Sequence, residues 1–361
     1  MNKDSLIYVA GHRGLVGSAI AESLRQKGYT NIITRTHQEL DLTGQQAVAA
    51  FFEQYKPEFV FLAAAKVGGI IANNTLRAQF IYENIQIQNN VIHQSYLNGV
   101  KKLLFLGSSC IYPRMAPQPL KESCLLTDEL EYTNEPYAIA KIAGIRMCES
   151  YNLQYGTNFL SVMPTNLYGI NDNFHLEYAH VLPAMMRKMH LARCLETGDF
   201  KALRADLAKR PVKNISLEMS DKDIIKGLEF YGINQEIDRV SLSLWGTGNP
   251  LREFLWAGDM ADACVFIMEN IDDPGRSQNN DTPNRNHHIN IGTGKEVTIR
   301  QLSELIKQAT GFGGDILFDS TKPDGTPRKL LDVSKLAEMG WTYKVELEDG
   351  IKRMYENYLL G

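Results

Sequence analysis

The sequence has few of the features that mark secreted, membrane-bound or metal-binding proteins. Its five cysteines are scattered and form no C-x-x-C pair, which argues against a disulfide framework and against a zinc site. The polar start MNKDS leads directly into LIYVAG, with no long apolar run and no cleavage-site pattern. We therefore predict a cytoplasmic protein that binds no metal.

The sequence also lacks a large excess of positive or negative charge. The 38 Lys and Arg residues against 42 Asp and Glu give a net charge of −4, and no basic run forms a long positive face. This argues against nucleic acid and against an anionic membrane as partners. With 361 residues, 44% of them hydrophobic, the chain can form one large domain or two moderate ones with a sizeable core.

The first part of the chain, residues 1–169, alternates short β-type runs with helical patterns. The alternation predicts an α/β fold, a doubly wound parallel sheet of the Rossmann type. The strand candidates LIYVA, NIIT, FVFLAA, KKLLFLGSS and FLSVMPT show little polar alternation, as expected for strands buried on both faces. Helices are predicted near 15–27, 43–55, 75–98 and 136–155.

The rest of the chain predicts a second domain. We expect the chain to return to the first domain around 253–292, and residues 170–252 and 293–361 to form a smaller α/β substrate-binding domain. The charged stretch 197–240 has apolar residues at roughly helical spacing and predicts a helical insertion, with Asp221 as a helix cap. The Gly/Pro/Asn-rich residues 272–286 predict an exposed linker, and TIRQLSELIKQATG predicts a helix ended by Gly311.

A glycine-rich turn follows the first predicted strand. In GHRGLVG, Gly11, Gly14 and Gly17 allow a tight turn, close approach of the backbone to a pyrophosphate, and close packing of the next helix. The helix N-terminus would then face the phosphates. The alternative is a purely structural turn, but the strand before and the helix after predict a dinucleotide site.

The choice of dinucleotide depends on the end of the second strand, TRTHQELDL. Arg35 and His37 occupy the region where a carboxylate would bind the ribose 2′-hydroxyl of NAD, and Arg13 lies within the glycine turn. These positive groups can match a 2′-phosphate, so the sequence favours NADPH over NADH. The alternative is that Arg35 is a solvated surface side chain. Asp41 lies past the strand end and suits the adenine amino group.

Two further motifs carry reactive groups. NEPYAIAKIAG places Tyr137 and Lys141 on one face of a predicted helix, where the ammonium is expected to lower the pKa of the phenol for proton exchange. In GSSCIYP, Ser108 ends the fourth strand and can donate to the same substrate oxygen. Cys110 is either a small core side chain or a proton-transferring thiol. Y-x-x-x-K alone is common by chance, but Ser108 makes the combination specific.

These motifs resemble the extended short-chain dehydrogenase/reductase family over nearly the whole chain. LAAAKVGGI, NNTLRAQFIYEN, VMPTNLYG and KPDGTPRKLLD, with the segments around Ser108 and Tyr137, are similar to the members that convert GDP-4-keto-6-deoxy-D-mannose to GDP-L-fucose. The resemblance implies an NADPH-dependent homodimer that epimerises C3 and C5 and then reduces C4. It implies that Cys110 and His180 are base and acid, and that Ser108, Tyr137 and Lys141 serve the reduction.

The resemblance also implies the ligand-binding residues. Those for NADP are Gly11, His12, Arg13, Gly14, Leu15, Val16, Gly17, Arg35, His37, Asp41, Leu42, Leu106, Gly107, Ser108, Ser109, Lys141, Pro164, Thr165, Asn166, Leu167 and His180. Those for the GDP-sugar are Lys188, Trp245, Arg252, Asp324 and Arg328. The cations are expected at the diphosphate, and Trp245 at the base or ribose.

Two other functions stay open at this stage. A nucleotide-sugar 4-epimerase or 4,6-dehydratase of the same fold would hold a tightly bound NAD and recycle it. A redox-silent dinucleotide sensor would bind the cofactor without chemistry. Arg35 and His37 argue against retained NAD, and the set of Ser108, Tyr137 and Lys141 argues against a silent sensor.

Overall fold

The computed structural model describes residues 1–237, 239–273, 286–322 and 324–360. Most of the predicted linker at 272–286 therefore lies outside the described residues. The chain divides into two compact units. Unit 1 comprises Met1–Asn171, Glu253–Lys295 and Lys329–Val345, and unit 2 comprises Asp172–Arg252, Glu296–Arg328 and Glu346–Gly361.

Unit 1 is built on a six-stranded parallel sheet, which confirms the predicted fold class. Its strands are β1 (Ile7–Ala10), β2 (Ile32–Ile33), β3 (Phe59–Leu62), β4 (Lys102–Leu106), β5 (Phe159–Pro164) and β10 (Ile289–Ile291). They lie in the order β10-β5-β4-β3-β1-β2, and each neighbouring pair is parallel. The order reverses direction beside β1, and in open α/β sheets ligands bind at such a point, outside the carboxyl ends of the strands.

Helices cover both faces of this sheet. They are α1 (Leu15–Gln26), α2 (Gln45–Tyr55), α3 (Ile70–Thr75), α4 (Arg77–Leu97), α5 (Glu135–Tyr155), α9 (Ala257–Asn270) and α11 (Ser334–Glu338). One core cluster joins the sheet to α2, α4 and α5, and a second joins it to α1 and α9. The helix predicted at 75–98 is shorter at its start, because α3 ends at Thr75 and α4 begins at Arg77.

Two distant segments complete unit 1. Strand β6 (Asn166–Tyr168) pairs in parallel with residues 254–256, the end of β9 (Leu251–Trp256). Leu331 forms a bridge with Leu120, and its N–H donates to the Glu253 carboxylate at 3.0 Å. These contacts place residues 329–345 in unit 1, whereas the sequence analysis assigned them to the second domain.

Unit 2 contains a small sheet and several helices. Its elements are α6 (Val181–Glu196), α7 (Phe200–Lys209), α8 (Asp221–Glu229), β7 (Ile233–Glu236), β8 (Arg239–Trp245), β11 (Glu296–Thr298), α10 (Ile299–Thr310), β12 (Asp315–Asp319) and α12 (Leu347–Leu360); the short β13 (Arg328–Lys329) crosses the unit boundary. In the order β12-β8-β7, β12 is parallel and β7 antiparallel to β8. As predicted, α10 ends at Gly311, which has a φ of +70°.

The charged stretch 197–240 contains α7 and α8 but also β7 and the start of β8, two strands that the sequence analysis did not predict. The cap of α8 also differs from the prediction. Ser220 is the N-cap, since its hydroxyl accepts from the Asp223 N–H at 3.3 Å, whereas Asp221 pairs with Arg204 at 2.6 Å. None of the helices in the described ranges is long and apolar enough to cross a membrane.

A buried ionic network attaches this stretch to the rest of unit 2. The Asp206 carboxylate pairs with Arg187 at 2.9 Å and with Arg210 at 3.1 Å, and it accepts from the Tyr358 hydroxyl. The side chains of Arg187 and Asp206 are 1% and 3% exposed. The network therefore joins α6, α7 and α12.

We expect Asp206→Ala to lower the free energy of unfolding by about 3–5 kcal/mol, because it leaves the buried Arg187 guanidinium without its carboxylate. Urea denaturation would measure the loss. Asp221→Ala is the matched control, since it removes an exposed pair worth less than about 1 kcal/mol. Equal losses in the two variants would contradict the prediction.

Candidate active site

The glycine turn lies at the carboxyl end of β1 and packs closely against the neighbouring backbone. Gly11 has a φ of +85°, and a Cβ there would lie 2.8 Å from the Ala64 backbone beyond β3. A Cβ on Gly17 would lie 2.1 Å from the Gly11 carbonyl oxygen. Helix α1 starts with neither a side-chain cap nor an acidic residue in its first turn, and the buried His12 Nδ1 has no partner in the described part of the chain. These features fit a dinucleotide pyrophosphate.

Arg35 is held in place beside this turn. Its guanidinium lies 4.8 Å from the ring centre of Tyr55, and it donates to the Thr34 carbonyl at 2.8 Å. Stacking of this kind orders a planar cation, so the side chain is held in one position rather than moving freely in solvent. The sequence analysis missed the neighbouring Glu39, a carboxyl whose pKa is lowered by hydrogen bonds to Thr36 and further by the charges of Arg35 and Arg13.

The contacts of His37 and Asp41, which also follow β2, support a cofactor-binding role less than those of Arg35 do. The His37 side chain is 81% exposed and lies 3.7 Å from the Asp41 carboxylate. Asp41 accepts from the Thr43 N–H at 2.9 Å and from its hydroxyl at 2.8 Å. The Asp41 carboxylate thus organises the start of α2, a role that the sequence analysis did not assign to it.

The end of β4 positions the serine and the cysteine. Gly107 packs so closely that a Cβ there would lie 2.3 Å from the Met163 methyl group. Ser108 caps a single 3₁₀ turn over residues 109–111, and its hydroxyl accepts from the Cys110 N–H at 3.4 Å. The Cys110 thiol also hydrogen-bonds to Ser108, and the residue is 7% exposed. The turn brings both functional groups to the carboxyl end of the strand.

Tyr137 and Lys141 lie on the first turns of α5, next to β4. The Lys141 ammonium donates to the Leu106 carbonyl at 2.8 Å and lies 5.6 Å from the centre of the Tyr137 ring. Burial raises the pKa of Tyr137, and burial lowers the pKa of Lys141 to about 8. The direction for Tyr137 is opposite to the expected lowering of the tyrosine pKa, because burial and then the charge of Cys110 both raise it. A protonated phenol is the state that can donate to an oxygen.

Burial also raises the pKa of the Cys110 thiol, while the charges of Lys329 and Lys141 and the Ser108 hydrogen bond oppose the shift. The sequence analysis did not identify Lys329. It comes close because the next residues, Leu330 and Leu331, pair with the segment around Leu120. In sequence this lysine is one cation in a loop, with no local signal of a partner.

Glu253 contacts the residues that follow β5 through its main-chain carbonyl and those that follow β10 through its buried carboxylate. Asn166 donates to the Glu253 carbonyl at 2.8 Å, and Thr165 donates from its N–H to the Ile291 carbonyl at 3.0 Å. The Glu253 side chain accepts from the N–H groups of Thr293 at 2.6 Å and Gly294 at 2.8 Å. Glu253, which sequence reasoning also missed, holds the ends of β5 and β10 in position.

Unit 2 contains His180 and the residues predicted to bind the GDP-sugar. His180 is the exposed N-cap residue of α6. Lys188, on the same helix, has a pKa lowered to about 8 by burial, with the Glu177 charge acting in the opposite direction. Trp245, at the end of β8, is 62% exposed and presents a ring that can stack. Burial lowers the pKa of Arg252 as well.

Asp324 and Arg328 have partners within unit 2. Asp324 accepts from the N–H of Thr247 at 2.9 Å and from its hydroxyl at 2.7 Å, and its charge acts on Arg252. Arg328 forms a bidentate pair with Glu296, at 2.9 and 2.7 Å. The predicted role of Arg328 as a cation for the diphosphate fits this pairing poorly, since Glu296 already matches its charge. Within the described ranges, no cluster of three or more His, Cys, Asp or Glu side chains is placed to hold a metal.

Comparison with known proteins places this architecture in a family. The model of the NAD dependent epimerase/dehydratase family matches residues 7–207 and 223–292. The chain belongs to this family. The matched ranges contain the glycine turn, the Ser108 turn and the Tyr137 helix.

Individual members of the epimerase/dehydratase family are similar over nearly the full length. GDP-L-fucose synthase 1 of Arabidopsis thaliana is 52% identical over 358 residues, 99% of this chain and 94% of that protein. GDP-L-fucose synthase of Escherichia coli K12 is 45% identical over 353 residues, 98% and 96% of the two chains. The structure of a GDP-D-glycero-L-gluco-heptose synthase from Campylobacter jejuni, solved in the presence of NADPH, is 45% identical with a TM-score of 0.89 and covers 99% of both chains.

Proposed function

We propose that this protein converts GDP-4-keto-6-deoxy-D-mannose to GDP-L-fucose, by epimerisation at C3 and C5 and NADPH-dependent reduction at C4. The observation that carries the proposal is the group at the end of β4, where Ser108 and Cys110 share one turn beside Tyr137 and Lys141. A plain reductase needs the serine, tyrosine and lysine alone. The cysteine supplies the additional acid–base group that an epimerase requires.

The epimerisation needs a base and an acid. As thiolate, Cys110 would remove the proton from the carbon next to the C4 ketone, and Ser108 and Tyr137 would donate hydrogen bonds to the resulting enolate oxygen. We assign to His180 the return of a proton to the opposite face of the carbon, on the strength of the family resemblance. Repetition at the second carbon completes the change of configuration.

The reduction uses the protonated state of Tyr137. When bound, NADPH supplies the hydride for C4. The Tyr137 hydroxyl donates its proton to the C4 oxygen, which Ser108 also holds, and the raised pKa of Tyr137 keeps that proton on the phenol at neutral pH. Lys141, fixed by the Leu106 carbonyl, is positioned by the same helix to hold the cofactor ribose.

The NADPH preference rests on the cations around the glycine turn. Gly11, Gly14 and Gly17 would hold the pyrophosphate, and Arg35 and Arg13 the 2′-phosphate. The stacked Arg35 guanidinium supports this assignment, since little ordering is required when it binds an anion. The exposed His37 makes a smaller contribution.

We expect Arg35→Ala to raise the KM for NADPH by about 10- to 100-fold, because a charge-assisted hydrogen bond to a phosphate is lost. The KM for NADH should change less than about threefold, since NADH has no 2′-phosphate. Steady-state kinetics with each cofactor would measure both values. An equal rise for the two cofactors would show that Arg35 does not distinguish them.

The GDP-sugar would be held in unit 2. Lys188 and Arg252 are cations whose charged forms are disfavoured by burial, so an added diphosphate would stabilise both. The exposed Trp245 ring suits the base or ribose. Asp324 would act mainly by holding the Thr247 loop, and Arg328 is assigned a weaker part than the sequence analysis gave it.

One assay tests the proposed function. Purified protein mixed with GDP-4-keto-6-deoxy-D-mannose and NADPH should oxidise one NADPH per sugar and yield GDP-L-fucose, followed by absorbance and by chromatography of the product. Without NADPH oxidation the proposal fails. A protein that held NAD tightly and recycled it, as a 4-epimerase or 4,6-dehydratase does, would consume no added NADPH.

A second candidate substrate is a 4-keto GDP-heptose. It is favoured by the 46% identity to the structure of a GDP-6-OMe-4-keto-L-xylo-heptose reductase from Campylobacter jejuni, against 45% to the Escherichia coli fucose synthase. The same assay with both sugars would separate the two. A kcat/KM at least about tenfold higher for the heptose would replace the first proposal.

We also propose that the protein is a cytoplasmic homodimer. The helices α4 and α5 pack together, and both carry large exposed apolar side chains, namely Tyr82, Leu97, Ile139, Leu153 and Tyr155. Burial of such side chains against a second copy would be favourable. All five cysteines are unpaired, as suits a reducing compartment. Sedimentation should give twice the mass of one chain.

A further inference from the structure

A small cavity lies inside unit 1, away from the Ser108 turn. It is lined by Cys148 on α5, by Ser161 on β5, and by Asp273, His287 and His288 among others. Asp273, Ser161 and His288 are 4%, 5% and 1% exposed. The cavity therefore faces polar groups that have lost bulk water.

Four buried atoms at this cavity have no hydrogen-bond partner in the described part of the chain. They are the Ser161 Oγ, the Asp273 Oδ2, the His287 Nε2 and the His288 Nδ1. Ser161 has a weak contact with the Cys148 thiol, and this thiol can supply the proton of that contact because burial raises its pKa and keeps it protonated, which leaves the Ser161 hydroxyl proton for the cavity. Buried polar atoms without partners are costly, so four of them at one cavity indicate a ligand.

In each of the two histidines, the ring nitrogen that does not face the cavity has a hydrogen-bond partner, and this partner determines where the ring protons lie. The Asn290 amide donates to the Leu120 and Asp332 carbonyls, so its oxygen accepts from the Tyr112 hydroxyl at 2.5 Å. The Tyr112 oxygen must then accept from the His288 Nε2–H at 3.1 Å. Burial lowers the pKa of His288 to about 3, which keeps the ring neutral and leaves Nδ1 as an acceptor.

His287 has the opposite character. Its Nδ1 lies 3.0 Å from the Asp273 Oδ1 and donates to it, and this pairing raises the pKa of His287. The buried Asp273 carboxylate favours the imidazolium form of His287 because it stabilises the positive charge, and in that form the Nε2–H is a donor. The cavity therefore offers two acceptors, Asp273 Oδ2 and His288 Nδ1, and two donors, His287 Nε2–H and the Ser161 hydroxyl.

We propose that this cavity binds one ordered water molecule, which donates to Asp273 and His288 and accepts from His287 and Ser161. Two donors and two acceptors match the hydrogen-bonding capacity of water. A cation would be opposed by the His287 N–H, and an anion by the Asp273 carboxylate. The water would connect β5 to the segments on both sides of residues 274–285.

A high-resolution crystal structure of the full chain tests the proposal. We expect a single peak in the cavity, within about 2.6–3.2 Å of the four named atoms. An empty cavity in the wild-type protein would overturn it. A peak with five or more oxygen ligands at distances below about 2.6 Å would overturn it as well, because it would identify a cation.

Two variants of Ser161 distinguish a bound water molecule from an effect of side-chain packing alone. Ser161→Ala removes one partner and keeps the space, so the peak should persist. Ser161→Val fills the space, so the peak should vanish and the Tm should fall about 2–4 °C below that of Ser161→Ala, since Asp273 and His288 lose their partner. A water peak that survives in Ser161→Val, or equal Tm values for the two variants, would count against the site.

Discussion

Replacing Tyr137 by Phe is expected to lower the rate of NADPH oxidation by about 10²- to 10⁴-fold, the range for loss of a general acid. The phenol is the proton donor to the C4 oxygen, and burial raises its pKa, so the proton is present at neutral pH. The phenylalanine ring keeps the contact with Phe80, whose ring centre lies 6.2 Å away. Steady-state kcat with GDP-4-keto-6-deoxy-D-mannose would measure the loss.

The matched control is Tyr132→Phe. Tyr132 is 68% exposed and carries the Arg77 guanidinium 4.3 Å from its ring centre, a contact that the phenylalanine retains. Its kcat should stay within about twofold of wild type, because exposed hydroxyls contribute little. NADPH binding, followed by fluorescence, should be unchanged in both variants. A Tyr137→Phe protein with half of the wild-type kcat would remove Tyr137 from the proposed reduction.

The fold was predictable where the signal is local. The apolar strands and the glycine turn predicted the parallel sheet, since strands buried on both faces need little beyond a continuous apolar run. The strand β7 was missed because its four residues INQE contain one apolar side chain, and the pairing with β8 forms it. The break at Leu76 was likewise missed, because no glycine or proline marks it.

The same contrast applies to the candidate site. Ser108, Cys110, Tyr137 and Lys141 come from two short motifs, and the structure places them around the end of β4. Lys329 reaches Cys110 through pairings made by Leu330 and Leu331 with a distant segment, which no local pattern predicts.

The partners of charged side chains could not be predicted either, because they too lie on distant segments. The pairing of Arg328 with Glu296, like the hydrogen bonds of Asp324 to Thr247, arises where separate segments meet. A single charged residue in a loop has many potential partners in sequence, and the fold selects among them. The direction of the Tyr137 pKa shift could not be predicted from the sequence either, because it depends on how deeply the side chain is buried, and the Y-x-x-x-K motif gives no information on burial.

Replacing Cys110 by Ser is expected to suppress solvent-deuterium incorporation at C3 and C5 by about 10²- to 10⁴-fold, because a buried alcohol is a far weaker acid than a thiol and supplies almost no base. NADPH binding should remain nearly intact, since the glycine turn is untouched. Mass spectrometry of the sugar after incubation in deuterated buffer would measure the exchange. Unchanged exchange would return Cys110 to the role of a core side chain.

The pH dependence of this exchange tests the assignment further. Because burial raises the pKa of the Cys110 thiol, the thiolate fraction and the exchange rate should rise as the pH increases toward that pKa and level off above it. Lys329→Met removes a charge that opposes the shift, so the thiol pKa should rise and the profile should move to higher pH, with slower exchange at pH 7 and recovery at alkaline pH. If Lys329 has only a structural role, the substitution should change the rate equally at every pH. That result would show that Lys329 does not affect the pKa of the Cys110 thiol.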